Sequence, residues 1–398
     1  MIGARGCWVA VLLVCACGSD GAGDDDGASP GSGGAASGSG GAPSAGGTSS
    51  GSGGSAAPIG GSPSAMGGSG AGGAGASGGQ PGDDGGAPGT AGQAGAAPVS
   101  TGTPTHEERA ELPTVRQEHG AAALDGEVYV LGGFTPEVTT SVQAYSPDTN
   151  SWRDVAPFPV EFHHPNVAVV GGRIYVAGFH FGSTLRVADG RTYAYDPAED
   201  AWSPRAPMPA GTERGAGCVA ALESSIYVFG GAGDLTLPHA SVYHTETDEW
   251  EVLPFMPNER EHCLAAAIDG RIYIVSGREG DITGLLVESY VYDPVERTYE
   301  ERAPIPTPRG GAAGAELGGR IFVFGGEGNP ADSVGIFGEV EAYDPSTDTW
   351  EPLPAMPIPR HGYAAAAVGD RIYLPGGATR QGFGATPHHS VFYFSAAD

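Results

Sequence analysis

One strand-like pattern recurs six times in phase across the C-terminal part of this 398-residue chain, and that phase constrains the fold more than any local feature. The copies are Val128-Tyr129-Val130, Ile174-Tyr175-Val176, Ile226-Tyr227-Val228, Ile272-Tyr273-Ile274, Ile321-Phe322-Val323 and Ile372-Tyr373-Leu374. Their aromatic centres lie 46, 52, 46, 49 and 51 residues apart. β-Branched and aromatic residues fit a pleated, half-buried surface. A period of this length with strand composition reads as one propeller blade per repeat, not as a helical solenoid.

A second aromatic pair, always seven residues apart, follows in five copies: Tyr145 with Trp152, Tyr195 with Trp202, Tyr243 with Trp250, Tyr292 with Tyr299 and Tyr343 with Trp350. The turn between them is of the Ser146-Pro147-Asp148 type, where Pro fixes φ and Asp bonds back to the chain. Upstream of each Tyr strand lies a run of small residues, such as Ala121-Ala122-Ala123, closed by a turn such as Asp125-Gly126. Small side chains suit an innermost strand crowded near an axis, so each repeat is expected to hold two hairpins. The last repeat stops after its third strand, at 391–394. The apolar-Pro pair that follows each earlier repeat, as in Phe158-Pro159 and Met208-Pro209, appears once more near the start as Leu112-Pro113. The stretch 107–112 is therefore expected to supply the missing outer strand and remove an exposed edge.

The di-glycines Gly132-Gly133, Gly230-Gly231, Gly325-Gly326 and Gly376-Gly377, with the third-strand Tyr and fourth-strand Trp, resemble the kelch motif. The resemblance covers 104–398 and implies an all-β, six-bladed kelch β-propeller with no significant helix. Ala177-Gly178, Ser276-Gly277 and Tyr299 depart from the motif in single blades.

Ahead of the repeats, Arg5, the apolar run 8–14 and the small residues Cys15-Ala16-Cys17 read as a secretory signal over 1–16, too short to span a bilayer. Val14-Cys15-Ala16-Cys17 resembles the bacterial lipobox, which implies lipidation of Cys17 after cleavage. Residues 17–103 are almost wholly Gly, Ser, Ala, Pro and Thr, with six Asp, and are expected to form a disordered tether. Its r.m.s. reach would be roughly 50 Å. The expected location is the cell envelope, lipid-anchored at the outer membrane or cell surface.

Residues 104–398 carry 18 Arg against 41 acidic residues, which argues against nucleic acid or an anionic membrane face as partner. A monomer is expected. The chain has no lysine, which excludes Schiff-base and P-loop chemistry, and 104–398 has no G-x-S-x-G elbow. Thirteen residues before the Tyr-strand centres stand Arg116, Phe162, Arg214, Arg260, Arg309 and Arg360, with His119, His163, His164, His262 and His361 beside them. These ten Arg and His are the ligand-site candidates, expected as a rim at one channel mouth. Two roles fit the once-per-blade period. The arginines form an anion site, since Arg offers paired donors to carboxylates and phosphates, or each ties the ring together by bonding carbonyls or acids of the adjacent blade.

Blade two, where Phe162-His163-His164 breaks the period, is the expected place for a pocket. Loops differing in every blade, at 179–190, 232–239, 278–286, 327–338 and 378–389, are where specificity is expected. His388 and His389, with His163 and His164, lack the spacing of a metal motif, so neither metal nor cofactor is expected. Copper radical oxidases resemble the fold but require a Tyr cross-linked to Cys. Here Cys218 and Cys263 sit in inner-strand runs, one residue out of phase, where buried inert thiols are favoured and a disulfide stays an open alternative. N-Acetylneuraminate epimerases resemble the chain more closely and imply acid/base chemistry on an acidic sugar. The leading expectation is a non-enzymatic binding module for a protein or glycan.

Overall fold

The computed structural model describes residues 102–183 and 187–396. The signal, Cys17 and most of the tether lie outside these residues. Every regular element among the described residues is a β-strand, arranged as six antiparallel sheets around one axis. Blade one runs outward from the axis as Gly120–Leu124, Glu127–Leu131, Val142–Ser146 and Ser151–Asp154. Blades three, four and five repeat this order, with inner strands Cys218–Leu222, Leu264–Ile268 and Ala313–Leu317. The in-phase pattern thus marks second strands, and the small-residue runs mark inner strands.

Blade six is completed from the other end of the chain. Thr103–Glu108 pairs antiparallel with His389–Ser395, in register from Thr103 opposite Ser395 to Glu108 opposite Ser390. The closing strand is therefore four residues earlier than the expected 107–112. Its position follows from the repeat's own arithmetic. The six-residue offset from Trp152 to Phe158, applied back from Leu112, puts His106 in the aromatic slot. His106 packs on Phe392 at 5.1 Å, and Leu112 is buried as Phe158 is.

The core lies between the faces of neighbouring blades. Tyr129 and Leu131 of blade one pack with Ile174 and Val176 of blade two, and Val128 and Tyr145 with Tyr373 and Val391 of blade six. The outer rim is tied by a repeated device. Trp152, Trp202, Trp250 and Trp350 donate their indole N–H to the carbonyls of Ala110, Ala156, Ala206 and Ala303 at 2.9–3.0 Å. The same alanines donate their N–H to Asn150, Asp200, Asp248 and Asp348, which also accept from the buried Tyr hydroxyls. The repeated Tyr-x4-Asp/Asn-x-Trp spacing is thus a seam between blades.

Two expectations are corrected. Both ends of 179–190 in blade two are strand, because Arg173–Phe181 and Ala188–Asp196 prolong the hairpin and Phe162–His163 adds a short strand beside it. Cys218 and Cys263 form a disulfide, with Cα atoms 4.9 Å apart. Period-two alternation does not separate the two thiols, because Cys263 lies just before its strand and follows His262, whose φ of +51° turns the chain before pleating begins.

Candidate functional site on the propeller axis

Just ahead of the inner strands, six residues stand one per blade around the axis: Glu118, His164, Ala216, His262, Gly311 and Gly362. All have φ between +50° and +62°. Each amide donates to the carbonyl of its counterpart in the preceding blade at 2.5–3.2 Å, and Glu118 N to Gly362 O closes the circle. This left-handed conformation suits glycine, and a Cβ there costs about 1–2 kcal/mol. Glu118, His164 and His262 nevertheless occupy it.

These three side chains border two cavities, of about 230 Å³ and about 180 Å³. The larger runs along the inner strands, past Ala121, Val219 and Ala265. The smaller is a vestibule walled by Gln117, His180, Arg278 and Glu327 under the loop residues Ile282 and Phe383. Gln117 holds the last loop in place, donating to Gly382 O and accepting from Gly384 N, both at 2.7 Å.

The polar groups are concentrated. Glu118 Oε2 lies 3.1 Å from His164 Nε2 and 3.7 Å from His262 Nε2, and its other oxygen lies 3.9 Å from His361 Nδ1. Burial alone would raise the Glu118 carboxyl, but His164 and His262 outweigh it and hold the group well below the usual carboxylate range. Arg278 bridges Glu261 at 3.1 Å and Glu327 at 2.6 Å, and Glu327 also meets His361 at 3.2 Å. His163 contacts His164 through their Nδ1 atoms. His180 donates through Nε2–H to Ala232 O at 2.8 Å, and burial pushes its imidazole down to about 3.

The five arginines are elsewhere. Arg116, Arg214, Arg260, Arg309 and Arg360 are fully buried. Their guanidinium groups cross-link the second and third strands of their own blades, not of adjacent ones. Arg360 donates to the carbonyls of Leu374, Gly376 and His388 at 2.8–3.0 Å and to Ser390 Oγ. Arg260 donates to Ser276 O and Glu288 O. Burial lowers Arg116, Arg214 and Arg260 to about 10, which leaves them charged at neutral pH. The physical reason is local: the di-glycine interrupts strand pairing, and the guanidinium supplies donors to the carbonyls there. Their main chain serves the seam, since Gly377 N donates to Arg116 O, Gly231 N to Arg260 O and Gly326 N to Arg360 O. A Cβ at Gly230 would sit 2.2 Å from Arg260 O, which explains the glycine.

His119 bridges the closing seam, with Gly120 O at 3.1 Å and Pro375 O at 3.0 Å, and burial lowers it to about 4. His361 faces the vestibule and contacts Arg380 O at 2.7 Å. His389 packs on Tyr145 and Trp152, away from His163 and His164. The mouth is therefore lined by histidine, carboxylate, Gln117 and Arg278, with the five once-per-blade arginines set back in the blades. Sequence reading missed Glu118, His180, Glu261, Arg278 and Glu327. Glu118 was within reach, since it stands two residues after Arg116 as His262 stands two after Arg260.

Residues 164–377 match the family described as the KLHDC2/KLHL20/DRC7 Kelch-repeats domain, and residues 116–159 match the Kelch motif. The chain is a kelch-repeat protein. It is 35% identical over 294 residues to Kelch-like protein terF of Aspergillus terreus, covering 70% of this chain and 64% of that relative. It is 25% identical over 269 residues to human Kelch-like protein 23, covering 65% and 45%, and 30% identical over 257 residues to human Kelch-like protein 34, covering 61% and 38%. The chain thus spans between about a third and two thirds of these relatives' lengths. The epimerase alternative is not supported for this kelch-repeat propeller: the five once-per-blade arginines are spent inside the blades, and Arg278 at the mouth is held by Glu261 and Glu327.

Proposed function

We propose that this kelch-repeat propeller is a lipid-anchored, extracytoplasmic binding module whose ligand is a protein seated on the mouth-side loops. The observation that carries the reading is apolar exposure on those loops. Phe181 is 42% exposed, Leu235 73%, Val334 45% and Phe383 53%, one each from blades two, three, five and six. Exposed apolar groups gathered on one face mark interaction surfaces. Between blades two and three, Leu235 borders a groove of about 930 Å³ walled also by Val187, Arg191 and Glu213, which would take an extended segment with one apolar anchor. Export is supported by the Cys218–Cys263 disulfide, since disulfides persist in oxidising compartments. Anchoring rests on Cys17.

The test is cross-linking of the full chain in its native envelope, with Leu235→Asp/Phe383→Asp as the comparison. The expected result is a protein partner captured by the wild type and lost by the double variant at unchanged Tm. An identical capture profile, or capture of glycan alone, refutes the protein reading. Separately, Cys17→Ser should move the chain from the membrane to the soluble fraction.

A further inference from the structure

We propose that Glu118 Oε2, His164 Nε2 and His262 Nε2 form a two-histidine, one-carboxylate site for a divalent first-row transition ion on the propeller axis, of which Zn²⁺ is the working instance. The inference is independent of the protein-ligand reading. Imidazole and carboxylate at this ratio suit such ions, with metal–ligand distances near 2.0–2.2 Å. Tetrahedral ligands at that distance lie about 3.3 Å from one another. The observed separations from Glu118 Oε2, 3.1 Å to His164 and 3.7 Å to His262, bracket that value, and the three donor atoms all lie within 4.8 Å of each other.

Three further observations point the same way. First, Glu118 is a mostly buried carboxylate whose ionic neighbours among the described residues are imidazoles alone, His164, His262 and His361. A carboxylate so placed demands a cation, supplied either by protons on the rings or by a metal. Second, His164 has a partner for its other ring nitrogen, since His164 Nδ1 meets His163 Nδ1. A proton on His164 Nδ1 leaves Nε2 as a lone pair toward the axis, the usual support for a metal-bound imidazole. Around His262, Arg278 Nη2 lies 3.4 Å from each ring nitrogen and Glu261 Oε1 3.7 Å from Nδ1, so Arg278 turns to its partners Glu261 and Glu327 when an ion takes Nε2. Third, all three ligands stand at left-handed positions whose counterparts in blades five and six are glycine. Side chains retained at a conformational cost point to a use. The site opens on both axial cavities, so three protein ligands leave a coordination position for water or an incoming donor.

The experiment is a Co²⁺ titration of the chelator-stripped full chain, followed by visible absorption, with Zn²⁺ as competitor. One equivalent of Co²⁺ should give d–d bands that Zn²⁺ abolishes. His164→Gly and His262→Gly should each weaken binding at least about 100-fold, while the Tm of the stripped protein holds or rises, because glycine relieves the left-handed backbone. His388→Gln should bind as wild type. Absence of saturable binding, or bands retained in both glycine variants, overturns the proposal. Lower Tm in the stripped glycine variants with unchanged Co²⁺ affinity overturns it too, since the side chains would then be structural. Glu118→Gln, which keeps size and hydrogen bonding, gives the same readout should a glycine variant fail to fold.

Discussion

Arg360 illustrates how one residue type can promise chemistry and deliver architecture. Its guanidinium is fully buried and satisfies four acceptors of blade six. Unmade buried hydrogen bonds cost more than made ones gain. Arg360→Met should therefore destabilise the propeller by about 3 kcal/mol or more, read as a shift in the urea midpoint, with no change in affinity for acidic probes. The period of the arginines was legible in the sequence. Its meaning was not, because a carbonyl-tying Arg and an anion-binding Arg share the same spacing. For Glu118, His164 and His262 the two histidines stood out beside the arginines, but their grouping with Glu118 did not. They come from blades one, two and four, so no short motif joins them, and only alignment to the axial circle brings them together.

At the scale of elements, the repeat made blades, strand order and ring closure readable, because a propeller writes each blade's instructions once per repeat. The exceptions were places where an element departs from its siblings. Blade two's prolonged hairpin is the first exception: Ala177-Gly178 stands where glycines end the other second strands, yet the strand runs on through it to Phe181, just ahead of Gly182. The disulfide was not favoured because period-two alternation applies only within a strand, and Cys263 lies outside one. The closing strand yields a direct prediction. Thr105→Pro removes a ladder donor in the middle of Thr103–Glu108. It should release that strand, expose the edge of His389–Ser395 and promote self-association, measured by light scattering. A monodisperse variant with unchanged Tm would show that the closing strand is dispensable.

For the whole molecule, buried histidines set the response to acid. His389 is almost fully buried, and its imidazole is pushed down to about 3, chiefly by burial, with a lesser contribution from Arg360. In the unfolded chain a histidine titrates near pH 6.5. Between about pH 3 and 6.5 the unfolded state therefore binds a proton that the folded state lacks, so this stabilisation is full above pH 6.5 and falls as pH drops. The slope is about 1.4 kcal/mol per pH unit for such a group. His389→Phe, which keeps the ring against Tyr145 and Trp152, should flatten the pH dependence of stability between pH 4 and 6 by close to one proton.

The closing strand also decides how the molecule meets mechanical load. Any pull transmitted from the chain ahead of Thr103 arrives first at the outermost strand of blade six. Six residue pairs hold that strand in antiparallel register, from Thr103 with Ser395 to Glu108 with Ser390. Tension along the strand loads all of these pairs together in shear, whereas tension across it would peel them one at a time. The joint that completes the circle is thus the first to feel a tug, and the direction of that tug sets how long the propeller survives it.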